Sequence, residues 1–304
     1  MNVACRQNNF LEERHIRRMD ARSDVLRLVW GGDSGLQRPS VRPRVTGMPR
    51  ANRLSGLEGE SGVFHLTHRC HNRVFLLKFA RDRNDYRARL REHLQQFDVS
   101  VLDYCVTSNH VHLLVDAEKR NDISALMREV ASEFARAYNR RKNRSNAFWG
   151  DNFHATLVED GRYLWRCLCY IELNMVRCGV VAHPREWRWV GYHEIMGERQ
   201  RYRLVDLDRL CWRLRAGSLD DLRRNLAASL EERIAQGHAK REPCWTESLA
   251  VGSHGFLEKI RPLILSRRET EIVESADENV WALQEAPVPY GQERDTEDGS
   301  NEPD

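Results

Sequence analysis

The chain has 304 residues, 41% of them hydrophobic, enough for one large domain or two of ordinary size. No run of 18 or more apolar residues occurs, which excludes a transmembrane helix, and the charged first 20 residues are not expected to act as a secretion signal. The formal net charge of +3 conceals an asymmetry: residues 269–304 hold 12 acids and one base, leaving 47 bases against 33 acids elsewhere, a surplus suited to a polyanionic partner.

Residues 1–47 are rich in arginine, end in a Pro/Arg/Gly stretch and read as a poorly ordered basic leader, with Met48 a candidate start of the native product. A well-patterned domain is expected over 48–197. Residues 63–67 are β-prone, and a basic turn follows from His68 to Arg73. Residues 82–96 read as a helix, with Tyr86, Leu90 and Leu94 at i, i+4 and i+8. Strands at 99–106 and 110–115 flank the turn Thr107-Ser108-Asn109, a β-hairpin with two histidines just past its bend. Asp122 is placed to cap the next helix, whose apolar stripe is Ile123, Leu126, Met127, Val130, Phe134 and Tyr138. The run Arg140-Arg141-Lys142-Asn143-Arg144 at its end suits either the helix dipole or phosphate contacts.

A strand is expected at 153–159, a break at Asp160-Gly161, and a helix at 162–178 stopped by Gly179. Trp187, Trp189 and Tyr192 are expected to cover the sheet or that helix. Strands mixed with helices, without regular βαβ alternation, predict an α+β fold on an antiparallel sheet. Beyond Gly197 the pattern is charged and helical, with helices expected at 219–235 and 255–265 inside a helical extension spanning 201–283. Residues 284–304 are dominated by Pro, Gly and acids and read as a disordered acidic tail. The eight cysteines show neither C-x-x-C pairs nor zinc-ligand spacing, so reduced thiols in a cytoplasmic protein are expected.

Two constellations carry chemistry. Side chains alternate along a strand, so His110 and His112 project from one face about 7 Å apart and can reach one divalent cation. Val111, Leu113 and Val115 point the other way, into a core. Tyr170 shares a helix face with Cys167 and Asn174, so a phenol and a carboxamide oxygen can face one site. By spacing alone each of these features is also compatible with ordinary surface histidines and core packing.

Residues 62–181 resemble the HUH-type single-strand transposases, and most closely the REP-associated tyrosine transposases. The resemblance rests on the run from Thr107 to Val115 (TSNHVHLLV), on Phe148-Trp149-Gly150-Asp151, on the run from Phe153 to Glu159 (FHATLVE), and on Tyr170-Ile171-Glu172-Leu173-Asn174. The entry Met48 to Arg53 and the segment Thr67 to Arg73 add to it. It implies a ferredoxin-like antiparallel sheet flanked by helices. It implies His110 and His112 as the metal-binding pair, Tyr170 as nucleophile and Asn174 as third ligand, with Mg²⁺ or Mn²⁺ as the metal. It implies Arg50, Arg53, Arg69 and Arg73 in the DNA-reading region. Met175 departs from the Pro usual after that Asn, and Cys178 from a common Ala.

The expected activity is that of a transposase-type endonuclease and strand transferase. It would cut and rejoin single-stranded DNA, at repetitive palindromic hairpins, through a covalent 5′-phosphotyrosine. A covalent intermediate preserves the phosphodiester bond energy and splits one hard step into two. A monomer or homodimer with no membrane partner is expected. The alternatives are a catalytically impaired DNA- or RNA-hairpin binder on the same fold, and a hydrolase using the His pair and water.

Overall fold

The computed structural model describes residues 61–237, 241–264, 269–275 and 279–286. The leader at 1–47, Arg50, Arg53 and the tail beyond residue 286 lie outside the described residues.

The first half runs β1 (Gly62–Arg69), α1 (Ala80–Leu94), β2 (Val99–Val106), β3 (His110–Ala117), α2 (Arg120–Lys142), β4 (His154–Val158) and α3 (Arg162–Glu172). Its strands are ordered β2-β3-β1-β4, each antiparallel to its neighbours. Two βαβ units split by an intervening strand make this the expected ferredoxin-like α+β arrangement.

Register assigns the two faces of this sheet different jobs. Phe64 lies opposite Val115, Leu66 opposite Leu113 and Tyr104 opposite Leu113, so their side chains share one face. That apolar face is closed by α1 and α2, where Tyr86 meets Phe134 edge-on with ring centroids 5.5 Å apart. All six stripe residues of α2 are buried, each contributing roughly 1.5–3 kcal/mol of transfer free energy. His112 lies opposite Thr67 and Cys105, and Thr67 opposite His154, so the other face is polar. It is covered by α3.

Two local details differ from the sequence expectation. Helix α2 starts at Arg120 with Lys119 in the capping position and no side-chain cap, so Asp122 sits inside the first turn as a favourable charge. The helix expected at 162–178 stops at Glu172. Leu173 leaves the helical region (φ −80°, ψ 4°), and a single further turn spans Asn174–Arg177. Gly179 then ends it with φ 65°.

Downstream come α4 (Leu207–Leu214), α5 (Leu219–Ala235), β5 (Ala250–Gly252), α6 (His254–Ile260), β6 (Thr270–Glu274) and β7 (Trp281–Glu285). The helix at 219–235 falls where its pattern placed it, capped by Ser218 Oγ accepting from Asp221 N at 3.1 Å. The extension is not helical throughout, however. β5 pairs parallel with β4, and β7 and β6 follow, giving a seven-stranded sheet ordered β2-β3-β1-β4-β5-β7-β6. Three to five residues per strand are too few for a period to be read. Asp116, fully buried at the end of β3, clamps α4 by accepting from Arg213 Nη2 at 2.6 Å and from Arg209. Among the described residues no helix is long and apolar enough to cross a membrane.

The aromatic cluster seals the β2 edge. Val106 N donates to Trp189 O at 2.9 Å, and Trp187 Nε1 returns a bond to Val106 O at 3.1 Å. Arg83 lies over both indoles, 4.5 Å and 4.3 Å from their centroids.

Candidate active site

The polar sheet face and α3 enclose a cluster of side chains drawn from distant parts of the chain. His112 is its centre. The hairpin bend places His110 and His112 at the start of β3 with ring centroids 4.7 Å apart. Tyr170 comes down from α3, its ring 6.2 Å from that of His112 and nearly perpendicular to it. Asn174, one turn later, puts its carboxamide nitrogen 2.9 Å from His112 Nε2. The four residues singled out in the sequence therefore meet.

A hydrogen-bond relay defines the proton on His112. The carbonyl of Trp245 can only accept, so His65, 2.7 Å away through Nδ1, donates to it. Burial pushes the His65 pKa down to about 3, so the ring is neutral and its Nε2 carries a lone pair. That lone pair accepts from His112 Nδ1 at 2.8 Å. Burial also holds His112 well below its usual pKa, with His110 and His65 adding to the effect. Its Nε2 is thus an outward lone pair, and Asn174 donates to it.

His110 reaches the same state by local means. Thr107 Oγ1 donates to His110 O at 2.8 Å and receives the backbone N–H of His110 at 3.1 Å. The ring Nδ1 donates to Asn109 Oδ1 at 2.7 Å, leaving the Nε2 lone pair for the site. Burial and then Arg69 bring its pKa down to about 3. Both imidazoles are therefore neutral, each oriented by its other nitrogen. Among the described residues no three His, Cys, Asp or Glu side chains gather to hold a metal ion; the set here is two imidazoles and a carboxamide.

Three arginines stand near this cluster. The Arg177 guanidinium sits 3.8 Å from the Tyr170 ring centroid, and its Nη1 donates to Tyr170 O at 2.7 Å. Its Nη2 is buried without a hydrogen-bond partner, and no carboxylate pairs with Arg177 among the described residues. A buried cation without an anion is costly unless a ligand supplies one. Burial raises the Tyr170 pKa, and Arg177 partly offsets it. Arg69 ends β1 directly opposite His110, whereas Arg73 is exposed on the loop beyond.

Motif residues outside the cluster have structural work. Trp149 pairs with Cys70, Gly150 N donates to Arg69 O at 2.9 Å, and His71 N donates to Phe148 O at 2.8 Å. The Phe148-Trp149-Gly150 run thus staples the end of β1 that carries Arg69. His68 belongs to the opposite face, stacked on Trp149 at 3.9 Å, and burial lowers its pKa to about 4. On the polar face Asp103 and Glu172 form a fully buried carboxyl pair, both raised well above the usual range by burial. Gly191 is required beside them, since a Cβ there would lie 1.9 Å from Asp103 Oδ1.

Sequence reasoning missed His65, Arg177 and Trp245. Arg177 follows Tyr170 by seven residues, a helical repeat that could have flagged it. His65 needed the register of β1 against β3, and Trp245 left no local signal.

Part of the chain is similar to known transposases. Residues 60–174 match the family model described as IS200-like transposase. A REP-associated tyrosine transposase solved bound to a REP hairpin is similar at 18% identity, over 49% of this chain and 86% of that one, with a TM-score of 0.42. A candidate transposase from Deinococcus radiodurans R1 is similar at 16% identity, over 33% of this chain and 80% of that one, with a TM-score of 0.28. No curated protein matches the sequence. Residues 60–174, the stretch similar to the IS200-like transposase family, contain the hairpin histidines, Tyr170 and Asn174.

Proposed function

We propose that the chain cuts and rejoins single-stranded DNA through a covalent link to Tyr170, with a divalent cation held by His110, His112 and Asn174. The observation that carries the reading is the Trp245–His65–His112 relay. It directs the His112 Nε2 lone pair at Asn174, 2.9 Å away, beside the Tyr170 ring. The outward lone pairs of His110 and His112, with the Asn174 carboxamide beside them, make a donor set that would suit Mg²⁺ or Mn²⁺. Rotating the carboxamide exchanges Nδ2 for Oδ1 and supplies the oxygen ligand. Such an ion, when bound, polarises and orients the scissile phosphate.

The remaining steps belong to the chain's own side chains. Tyr170 Oη attacks phosphorus as the phenol loses its proton. The P–O3′ bond breaks and the departing 3′ oxygen gains a proton, leaving a 5′-phosphotyrosine. Attack by a 3′-OH reverses the step and reseals the strand. Arg177 and Arg69 supply positive charge for the phosphate, and Arg177 over the ring face favours the phenolate. The basic body, with 47 bases against 33 acids outside residues 269–304, suits a polyanionic strand.

A non-cutting hairpin binder is the second reading, favoured by the burial of Tyr170, which is 4% exposed. The deciding experiment incubates the chain with Mn²⁺ and labelled hairpin oligonucleotides carrying single-stranded flanks; the similar REP-associated transposase was solved bound to a REP hairpin. A denaturation-resistant protein–DNA adduct is expected, lost in Tyr170→Phe. No adduct with any hairpin sinks the cutting activity, and cleavage that survives Tyr170→Phe without an adduct points to a hydrolase.

A further inference from the structure

Among the described residues six large apolar side chains are exposed, and three of them fall within residues 74–79: Val74, Phe75 and Phe79, at 52%, 42% and 47%. They lie on the connection between β1 and α1. Clustered exposure of this kind marks a binding surface more often than scattered exposure does.

The patch is bordered by cations. No acid occurs between Glu60 and Asp82, nor between Glu133 and Asp151. The fold brings these two acid-free segments together at Phe79. Lys142 Nζ sits 4.8 Å above the Phe79 ring and Lys78 Nζ 5.2 Å from it. The nearest acids on α1, Asp82 and Asp85, are both engaged by Arg141.

The patch is also fixed to the active site. Leu77 N donates to Ser108 O at 2.9 Å, and Arg83 Nη2 holds Lys78 O at 2.9 Å and Ser108 Oγ at 3.2 Å. Asn109 Nδ2 donates to Arg73 O at 3.0 Å, and the same Asn109 orients His110. The aromatic segment and the catalytic hairpin bend are thus one hydrogen-bonded unit, so a strand held on one is held in register with the other.

We propose that Phe75 and Phe79 form a stacking platform for unpaired bases of the DNA strand entering the site, with Lys78, Lys142 and Arg73 on its phosphates. The inference rests on the reading of the substrate as single-stranded DNA. Flat apolar rings flanked by ammonium groups match a base face flanked by phosphates. A second copy of the chain fits poorly, because a two-fold contact would set this patch against itself and oppose lysine to lysine.

The test uses a Tyr170→Phe background, in which binding is read without cutting. A fluorescein-labelled single-stranded oligonucleotide of about 20 nucleotides and mixed sequence is titrated by anisotropy. Phe75→Ala and Phe79→Ala are each expected to weaken binding about tenfold. Phe79→Trp should retain affinity and Phe79→Leu should lose it, since leucine keeps the apolar bulk but not the flat ring. Lys142→Gln should lower the slope of log affinity against log salt by about 0.7. Unchanged affinity in both alanine variants overturns the platform, as does a parent chain that binds no oligonucleotide. Self-association abolished by the alanine variants with DNA affinity intact assigns the patch to a second copy and also overturns it. Absence of a covalent adduct on the unmodified chain would sink the proposed chemistry while leaving this binding result standing.

Discussion

His65→Leu separates a relay that orients a ligand from one that merely fills space. His65 makes two hydrogen bonds, 2.7 Å to the Trp245 carbonyl and 2.8 Å to His112 Nδ1. Leucine keeps apolar bulk and removes both. The Trp245 carbonyl keeps Thr156 Oγ1 at 3.2 Å, sharing its single proton with Ser248 O at 2.7 Å. His112 Nδ1 retains only Thr67 Oγ1 at 3.5 Å, too long for a good bond. One buried N–H left unsatisfied costs about 1–3 kcal/mol, which corresponds to a fall in Tm of roughly 2–12 °C. The larger consequence is chemical. Without an acceptor at Nδ1, His112 can move its proton to Nε2 and donate to Asn174 Oδ1, removing the lone pair from the site. Loss of such an orienting partner typically costs about 10- to 100-fold in metal affinity. Mn²⁺ titration calorimetry on the parent and variant measures it, with near-UV circular dichroism confirming that the variant is folded. A variant that melts lower but binds Mn²⁺ with parental affinity would refute the relay as an orienting device.

Two further outcomes are expected. Arg177→Gln should slow single-turnover adduct formation by roughly 10²–10³-fold, as loss of one donor to a developing anion does, with Arg177→Lys restoring part of it. Equal slowing in both variants would mark Arg177 as a packing residue. The buried histidines should make the fold acid-sensitive. His65 and His110 titrate at about 3 and His68 at about 4 in the folded chain, all lowered first by burial. Unfolded histidines titrate near 6.5, so below that pH the unfolded state binds more protons and stability falls. The loss begins near pH 6.5 and grows by up to about 1.4 kcal/mol per pH unit for each histidine as pH drops toward 4. Urea midpoints that do not move between about pH 7.5 and about pH 5 would contradict this.

The amino-acid sequence alone determined the features that depend on near neighbours. Period-two and period-3.6 patterns located the hairpin strands, the α2 stripe and the helix at 219–235. The two histidines were legible because a strand puts residues 110 and 112 on one face, and Tyr170 and Asn174 because a helix puts residues four apart on one face. Even here the helix between them breaks at Leu173, a detail no local pattern carried. Tertiary structure decided the rest. Which lone pair His112 offers depends on His65, 47 positions away, and on Trp245, 180 positions from His65. That β5, β7 and β6 continue the sheet depends on Leu157 pairing with Ala250, 93 positions further along the chain. That Lys142 meets Phe79 depends on α2 lying along α1. Hydrogen bonds and ring contacts between remote segments leave no period in the sequence, because each is set by sheet register and helix packing rather than by the residues beside it.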